Sequence, residues 1–95
     1  MKWNIKKLNV SDLIEYKKNP RILTKKGLSD LKKSIKTFGI AEPLVVNTDN
    51  TIIGGHGRKK ILTELKIDVV DCYVPEEKLN EKQFEELCIR LNKNI

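Results

Sequence analysis

Short apolar runs separated by polar turns predict four β-strands in this chain. The runs are rich in β-branched residues and are bounded by asparagine, aspartate, glycine or proline, which commonly flank strands. The tight turn Thr48–Asn50 joins the second and third runs, so these two strands are expected to form a hairpin. The predicted strands are Trp3–Leu8, Leu44–Asn47, Thr51–Ile53 and Val69–Val74.

Apolar residues three and four positions apart predict three helices. Thr24 is a suitable N-cap for the first helix, and Gly39 is a suitable stop signal. Asn80 and Gln83 resemble a capping box at the start of the last helix. Together with the strands, these helices predict a small α+β domain whose mixed sheet has about four strands. The helices are expected at Lys25–Thr37, with an apolar stripe of Leu28, Leu31, Ile35 and Phe38, at His56–Lys66, and after Asn80.

Length and composition indicate a small globular domain. The chain has 95 residues, of which 39% are hydrophobic and 34% charged, a balance typical of folded rather than disordered proteins. We therefore expect a single domain over residues 1–95. No apolar run approaches the roughly 20 residues that span a bilayer, and the N-terminus lacks the apolar segment of a secretory signal. These features predict a cytoplasmic protein.

The cysteines and the single histidine give no metal site. Cys72 lies in a predicted strand and Cys88 on the apolar side of the last helix, positions that suit small core residues. There is no CxxC pair, and His56 is distant from both cysteines along the chain, so no zinc site is predicted. A disulfide between the two cysteines is not expected in a reducing compartment.

Positive charge is concentrated in the body of the chain. The formal net charge is +6, and the excess falls within residues 1–75, which favours a polyanionic partner. At about 100° per residue, five lysines of the first helix share one face opposite its apolar stripe. None has an acidic residue four positions earlier to pair with it. This face is either a solvated surface or a DNA contact, and its residues are Lys25, Lys26, Lys32, Lys33 and Lys36.

The segment Ile53–Arg58 has the composition of an anion-binding loop. An apolar run enters three glycines around His56, and Arg58 follows at the start of a predicted helix. Glycines let a ligand approach the backbone, helix starts present unpaired N–H groups, and arginine can bind a phosphate or carboxylate through two donors. The alternative is a turn that merely requires glycine, with Arg58 solvated. The local residues leave both interpretations open.

Several motifs, taken in order, resemble the N-terminal domain of ParB-like proteins, which have the ParB/sulfiredoxin fold. Each motif is short, but their order and spacing together are specific, and the resemblance covers about residues 3–91. The matching segments are Asn19-Pro20-Arg21, Leu31–Ile35, Gly39–Val46 and Ile53–Arg58, followed by Leu65.

The resemblance implies a nucleotide pocket between two loops, with CTP or ATP as the ligand together with Mg²⁺. Asn19 and Arg21 are implied as further pocket residues. Glu42 could hold the magnesium ion through water, or could be an exposed residue before a proline. No direct protein ligand to a metal is predicted. The implied nucleotide-binding residues are Gly39, Ile40, Glu42 and Pro43 in the first loop, and Gly54, Gly55, His56, Gly57 and Arg58 in the second.

Two departures from the family pattern narrow the implied role. His56 stands where sulfiredoxins carry their nucleophilic cysteine, which excludes sulfiredoxin chemistry. Gly57 stands where partition proteins usually have a second arginine, and Ile61 and Leu62 stand where they usually have alanines. The pattern is more similar to a phage and mobile-element branch, in which the domain often travels with a DNA methyltransferase. The chain could therefore be a piece of a longer protein.

The leading hypothesis is a DNA-associated, nucleotide-binding module that regulates or targets a partner such as a DNA methyltransferase. One alternative is a ParB-like nuclease, or a nucleotide-dependent kinase or NTPase, with His56 and Glu42 as catalytic candidates. Another is a plain protein-interaction domain. A nuclease normally assembles several carboxylates around metal ions, whereas the acidic residues here are scattered, so binding is favoured over catalysis. Neither the identity of the nucleotide nor the oligomeric state follows from the sequence.

Overall fold

The computed structural model describes residues 1–18, 24–55 and 57–91, in which four strands form one mixed sheet. Strands β1 and β4 are antiparallel, β4 and β2 are parallel, and β2 and β3 are antiparallel, in the order β1-β4-β2-β3. This confirms the predicted α+β class. The elements are β1 (Trp3–Asn9), a 3₁₀ turn (Val10–Asp12), α1 (Lys25–Phe38), β2 (Leu44–Val46), β3 (Ile52–Gly54), α2 (Arg58–Glu64), β4 (Val69–Pro75) and α3 (Glu81–Leu91).

The caps of α1 and α3 lie where local sequence signals place them. The Thr24 hydroxyl accepts a hydrogen bond from the Gly27 N–H at 3.0 Å, and Gly39 ends α1 with φ of 73°. Asn80 and Gln83 form the reciprocal bonds of a capping box, at 2.8 and 3.0 Å. At the start of both helices, side-chain oxygens therefore accept hydrogen bonds from backbone N–H groups that have no partner within the helix.

The prediction for α2 was too long at both ends. The helix begins at Arg58, with Gly57 as N-cap at φ of 86°. It ends at Glu64, and Lys66 adopts the left-handed conformation at φ of 59°. The Lys66 N–H donates to the Thr63 carbonyl, and the Ile67 N–H to the Leu62 carbonyl. This is a Schellman motif that uses lysine where glycine is usual.

Lys66→Gly is expected to raise the free energy of unfolding by about 1 kcal/mol, because the left-handed conformation strains a residue with a Cβ but not glycine. Lys60→Gly is the matched control, since Lys60 is an exposed residue within α2. There the same change should lower the free energy by about 1 kcal/mol. Urea unfolding of both variants measures the two effects, and a Lys66→Gly variant as unstable as the control would contradict the assignment.

Two apolar clusters lie on opposite faces of the sheet. The larger one packs β2 and β4 against Leu62 of α2 and against Leu13 after the 3₁₀ turn. The smaller one packs Ile53 of β3 against α3. Alternate residues of the strands supply the two clusters, as the pleat of a sheet requires.

A buried asparagine fixes the segment that leads into α3. Asn47, at the end of β2, is 3% exposed. Its side chain donates to the Leu79 carbonyl at 3.2 Å and accepts from the Leu79 N–H at 3.0 Å. The position of α3 on the sheet is thus tied to the β2–β3 hairpin by bonds between polar groups that would be costly to leave unpaired.

The cysteines occupy core positions, as the sequence predicts. Cys72 belongs to the larger cluster and Cys88 to the smaller, so the sheet separates them and no disulfide joins them. Burial raises the pKa of the Cys72 thiol to about 11, which keeps it protonated and unreactive at neutral pH. None of the described helices has the length and apolar character needed to cross a membrane.

Phe38 is an exception to the predicted apolar stripe of α1, since its side chain is 79% exposed. Only Ile35 of this helix is fully buried, and Leu28 and Leu31 are half-buried. Helix α1 packs mainly against α2. The last turn of the helix, with Phe38, therefore extends beyond the apolar surface available to it.

Candidate functional site

The glycine loop, Gly54–Arg58, connects the end of β3 to the start of α2. Gly55 and Gly57 both have positive φ angles, 97° and 86°, a backbone conformation that residues with a Cβ rarely adopt. A Cβ on Gly55 would lie 2.3 Å from Cδ2 of Leu44, and one on Gly54 would lie 2.9 Å from Cδ1 of Leu91. Side chains of β2 and α3 thus fill the space beside Gly54 and Gly55. At Gly55 the buried Leu44 leaves no room for a side chain, whereas at Gly54 the neighbour is the exposed Leu91, whose side chain can shift.

Arg58 joins the two loops that the family resemblance placed around a pocket. Its Nη1 donates to the backbone carbonyl oxygen of Glu42 at 3.2 Å, and its side chain is half-buried. Its backbone N–H donates to the Gly55 carbonyl at 3.3 Å, which closes the turn into α2. A guanidinium has five donors, so the bond to Glu42 does not exhaust its capacity to bind an anion.

The first loop contributes mainly its backbone to this arrangement. Gly39 and Glu42 are exposed, Pro43 is half-buried, and Ile40 packs against the larger apolar cluster. Arg58 contacts the carbonyl of Glu42, whereas the Glu42 carboxylate lies at the surface. Within the described ranges, no three His, Cys, Asp or Glu side chains are close enough to hold a metal ion together.

Three predicted pocket residues, Asn19, Arg21 and His56, lie outside the described residues. Their roles stay predictions. The site that the structure does describe consists of the Gly39–Pro43 loop, Gly54 at the end of β3, Gly55, Gly57 and Arg58, whose side chain bonds to the first loop.

The lysine face of α1 is present but is less uniform than the sequence suggests. Lys25, Lys26, Lys33 and Lys36 are exposed, whereas Lys32 is half-buried and its Nζ lies 3.4 Å from Oε2 of Glu64. Lys32 therefore has an acidic partner, although no acid lies four positions before it in α1. Only acids within the same helix were considered, and Glu64 reaches it from α2.

Sequence reasoning missed Lys59, which follows Arg58 in the first turn of α2. Its Nζ donates to the backbone carbonyl of Leu13, which ties α2 to the segment after the 3₁₀ turn. The bond spans 46 positions of the chain. No local signal marks it, because one lysine among many has no distinguishing pattern. Lys59 supports the start of the helix that carries Arg58.

Comparison with known proteins agrees with this architecture. The model of the ParB N-terminal domain family matches residues 1–94. Among curated proteins, the ParB-like nuclease domain-containing protein YnaK of Escherichia coli (strain K12) is 34% identical over 65 residues, which cover 68% of this chain and 75% of that protein.

Solved structures with less than 25% identity show the same fold. The C-terminally truncated chromosome-partitioning protein ParB from Caulobacter crescentus, complexed with CTP-γ-S, has a TM-score of 0.81 at 21% identity. The match covers 94% of this chain and 52% of that one, so this chain spans about half the length of that ParB. The same protein complexed to the centromeric parS site has a TM-score of 0.70 at 21% identity, with 92% and 46% covered.

Sulfiredoxin from Arabidopsis thaliana has a TM-score of 0.66 at 16% identity, over 88% of this chain and 96% of that one. The four-stranded mixed sheet and three helices are therefore shared with both groups of proteins. The chain belongs to the ParB N-terminal domain family and has the ParB/sulfiredoxin fold.

Proposed function

We propose that this protein is a DNA-associated, nucleotide-binding ParB-like module that acts in the cytoplasm. The observation that carries the proposal is the hydrogen bond from Arg58 to the Glu42 carbonyl, which brings the Gly39–Pro43 loop beside the glycine loop. An arginine held at the junction of two loops is suited to bind a phosphate through its remaining donors. The solved complex of C. crescentus ParB with CTP-γ-S supports the assignment by family.

The proposed ligand is CTP or ATP with Mg²⁺. The backbone of the Gly54–Arg58 loop and the guanidinium of Arg58 are proposed to contact the phosphates, and Gly57 and Arg58 are both half-buried at the start of α2. The exposed Glu42 carboxylate could hold the magnesium ion through water, since Mg²⁺ commonly keeps several of its waters. His56, implied by the family resemblance, would contact the nucleotide from the same loop.

Thermal unfolding tests the nucleotide proposal. A ligand that binds only the folded state stabilises it by about 2.7 kcal/mol at one hundred times its dissociation constant. Millimolar CTP or ATP with Mg²⁺ should raise the melting temperature, and the matching monophosphate should raise it less. Equal shifts with triphosphate, monophosphate and inorganic sulfate would indicate a nonspecific anion effect and contradict a nucleotide site.

The exposed lysines of α1 are proposed as the DNA contact. Lys25, Lys26, Lys33 and Lys36 carry positive charge along one helix, and Lys33 and Lys36 are one turn apart. Contacts between lysines and phosphates release counterions, so binding should be independent of sequence and weaken steeply with salt.

Lys33→Glu combined with Lys36→Glu is expected to reduce DNA affinity by at least about tenfold at low salt. The matched control is Lys6→Glu with Lys82→Glu, which changes the net charge equally at exposed positions outside α1. Lys32 is left unchanged because reversing it would place two acids together at Glu64. Anisotropy with labelled duplex DNA gives the affinities. Equal losses in both double variants would show that net charge, and not the α1 face, is responsible.

The partner and the catalytic alternative are also open to test. As the family resemblance implies, we propose that the domain comes from a phage or mobile-element protein. It would regulate or target a partner such as a DNA methyltransferase. A plain protein-interaction domain is the other non-catalytic alternative. Nuclease or NTPase activity is the enzymatic alternative, since YnaK is named for a nuclease domain. DNA cleavage or nucleotide hydrolysis that disappears in Glu42→Ala or His56→Ala would favour the enzyme. Uncut DNA and intact triphosphate favour the module.

A further inference from the structure

Helix α1 ends on an exposed aromatic side chain. Phe38 is the last residue of the helix and is 79% exposed. It belongs to neither of the two apolar clusters of the described residues. Isolated apolar side chains at a surface are common and need no explanation by themselves. What gives this ring a role is its position relative to the proposed nucleotide site.

Two contacts fix the direction of α1 relative to α2. Nζ of Lys32, in the middle of α1, lies 3.4 Å from Oε2 of Glu64, the last residue of α2. At the other end of α2, Nη1 of Arg58 donates to the carbonyl oxygen of Glu42 at 3.2 Å. Glu42 belongs to the loop that follows α1. The end of α1 is therefore directed toward the start of α2.

Helix geometry then places Phe38 beside the start of α2. Phe38 lies six residues after Lys32 along α1, and the start of α2 lies six residues before Glu64. Both intervals correspond to about 9 Å along a helix axis. The chain from Phe38 to Glu42 spans at most about 14 Å even when it is fully extended. We therefore expect the ring at the same level as Arg58, which bonds to Glu42.

Phe38 lies on the face of α1 that is turned toward the interior. At about 100° per residue, it is within about 20° of the half-buried Leu31 and about 60° of the buried Ile35. Lys33 and Lys36, the proposed DNA contacts, lie about 140–160° away from it around the helix. The ring is thus on the side of α2 and of the nucleotide site, and not on the lysine face.

We propose that Phe38 stacks on the base of the nucleotide whose phosphates bind Arg58. This inference rests on the proposed nucleotide-binding function and adds to it the residue that contacts the base. Aromatic side chains offer a flat apolar surface, and bases stack on such side chains in many proteins that bind single-stranded nucleic acids. The bound nucleotide would extend from Arg58, at the start of α2, to Phe38, at the end of α1.

The charges at the two ends of this site support the same orientation of the nucleotide. The last carbonyl groups of a helix carry partial negative charge, which disfavours a phosphate beside Phe38 but not an uncharged base. The guanidinium of Arg58 is positive, and its five donors are not exhausted by the bond to Glu42. The phosphates therefore belong at Arg58 and the base at Phe38.

Calorimetric titrations of Phe38→Ala with ATP, CTP and inorganic tripolyphosphate, each with Mg²⁺, test the proposal. Every base has a face that can stack, so the variant is expected to lose about tenfold in affinity for both nucleotides. It should bind tripolyphosphate like the wild type, because this ligand has no base. Ile89→Ala is the matched control, since Ile89 is 62% exposed on α3. The control should bind all three ligands like the wild type.

Phe38→Trp provides a second readout. The larger aromatic ring should retain the nucleotide affinity that alanine loses. Stacking should quench the fluorescence of the introduced tryptophan when ATP binds but not when tripolyphosphate binds. The wild-type protein, titrated in parallel, gives the contribution of the native Trp3.

The outcomes distinguish this inference from the function on which it rests. If Phe38→Ala binds both nucleotides as tightly as the wild type, or loses as much affinity for tripolyphosphate as for ATP, stacking is overturned while the nucleotide site stands. If the wild-type protein binds none of the three ligands, the proposed nucleotide-binding function fails and the inference fails with it. Urea unfolding of Phe38→Ala, whose ring is exposed, should match that of the wild type.

Discussion

Gly55→Ala is expected to lower the free energy of unfolding by about 3 kcal/mol. The added Cβ would lie 2.3 Å from Cδ2 of Leu44, far inside van der Waals contact. Leu44 is fully buried between β3 and β4, so it has little room to move away. The φ of 97° adds backbone strain, because this conformation is rare for any residue with a side chain.

The Gly39→Ala variant measures the cost of backbone strain where no packing clash is added. Gly39 also has positive φ, at 73°, but a Cβ there would have no atom within 4 Å. Its ψ is −162°, a region that residues with a Cβ almost never adopt, so its substitution should cost about 1–3 kcal/mol through backbone strain alone. Urea unfolding measures both variants, and a cycle with Leu44→Ala isolates the contact, since removing the leucine side chain should relieve part of the cost at Gly55. If Leu44→Ala relieves none of the cost of Gly55→Ala, the close approach of Leu44 is wrong.

Arg58→Ala is expected to weaken triphosphate binding by about 1.5–3 kcal/mol, the usual contribution of a charge-assisted contact. The substitution also removes the bond to Glu42 that holds the two loops together. Arg58→Lys keeps the charge but not the planar fork, so it should restore only part of the affinity.

Lys60→Ala is the matched control for charge near the glycine loop. Lys60 is exposed and lies two residues after Arg58 in the same helix. Competition against a fluorescent nucleotide measures the affinities of the three variants. Equal effects of Arg58→Ala and Lys60→Ala would show that general positive charge, and not a positioned guanidinium, binds the ligand. Urea unfolding of Arg58→Ala distinguishes lost binding from a lost fold.

The sequence predicted correctly those helix ends that are determined by hydrogen bonds between residues close together in the chain. Thr24, Gly39 and the Asn80–Gln83 box determine helix ends through bonds made within a few residues. The end of α2 was missed because Lys66 adopts a left-handed conformation that lysine does not signal. The exposure of Phe38 was missed for a different reason: the period of α1 shows which face is apolar, but not how far its neighbour α2 extends.

The arrangement of the candidate site could not be predicted in full from the sequence, because it depends on contacts between segments that are distant along the chain. Composition left open whether a ligand or a turn requires glycine at positions 54 and 55, and it could not show that Leu91 and Leu44 lie beside them. The proximity of Glu42 to Arg58 followed from the family resemblance, since a bond across 16 positions has no local signature. The pairing of Lys32 with Glu64 likewise required the packing of α1 on α2.

A calorimetric titration of the wild-type protein with CTP and with ATP, in the presence of Mg²⁺, tests the central claim most directly. The account predicts saturable binding of one triphosphate per chain, weaker binding of the matching monophosphate, and a large loss of affinity in Arg58→Ala. A titration in which neither triphosphate binds at millimolar concentration, to a protein whose fold is intact, would contradict the proposed nucleotide site.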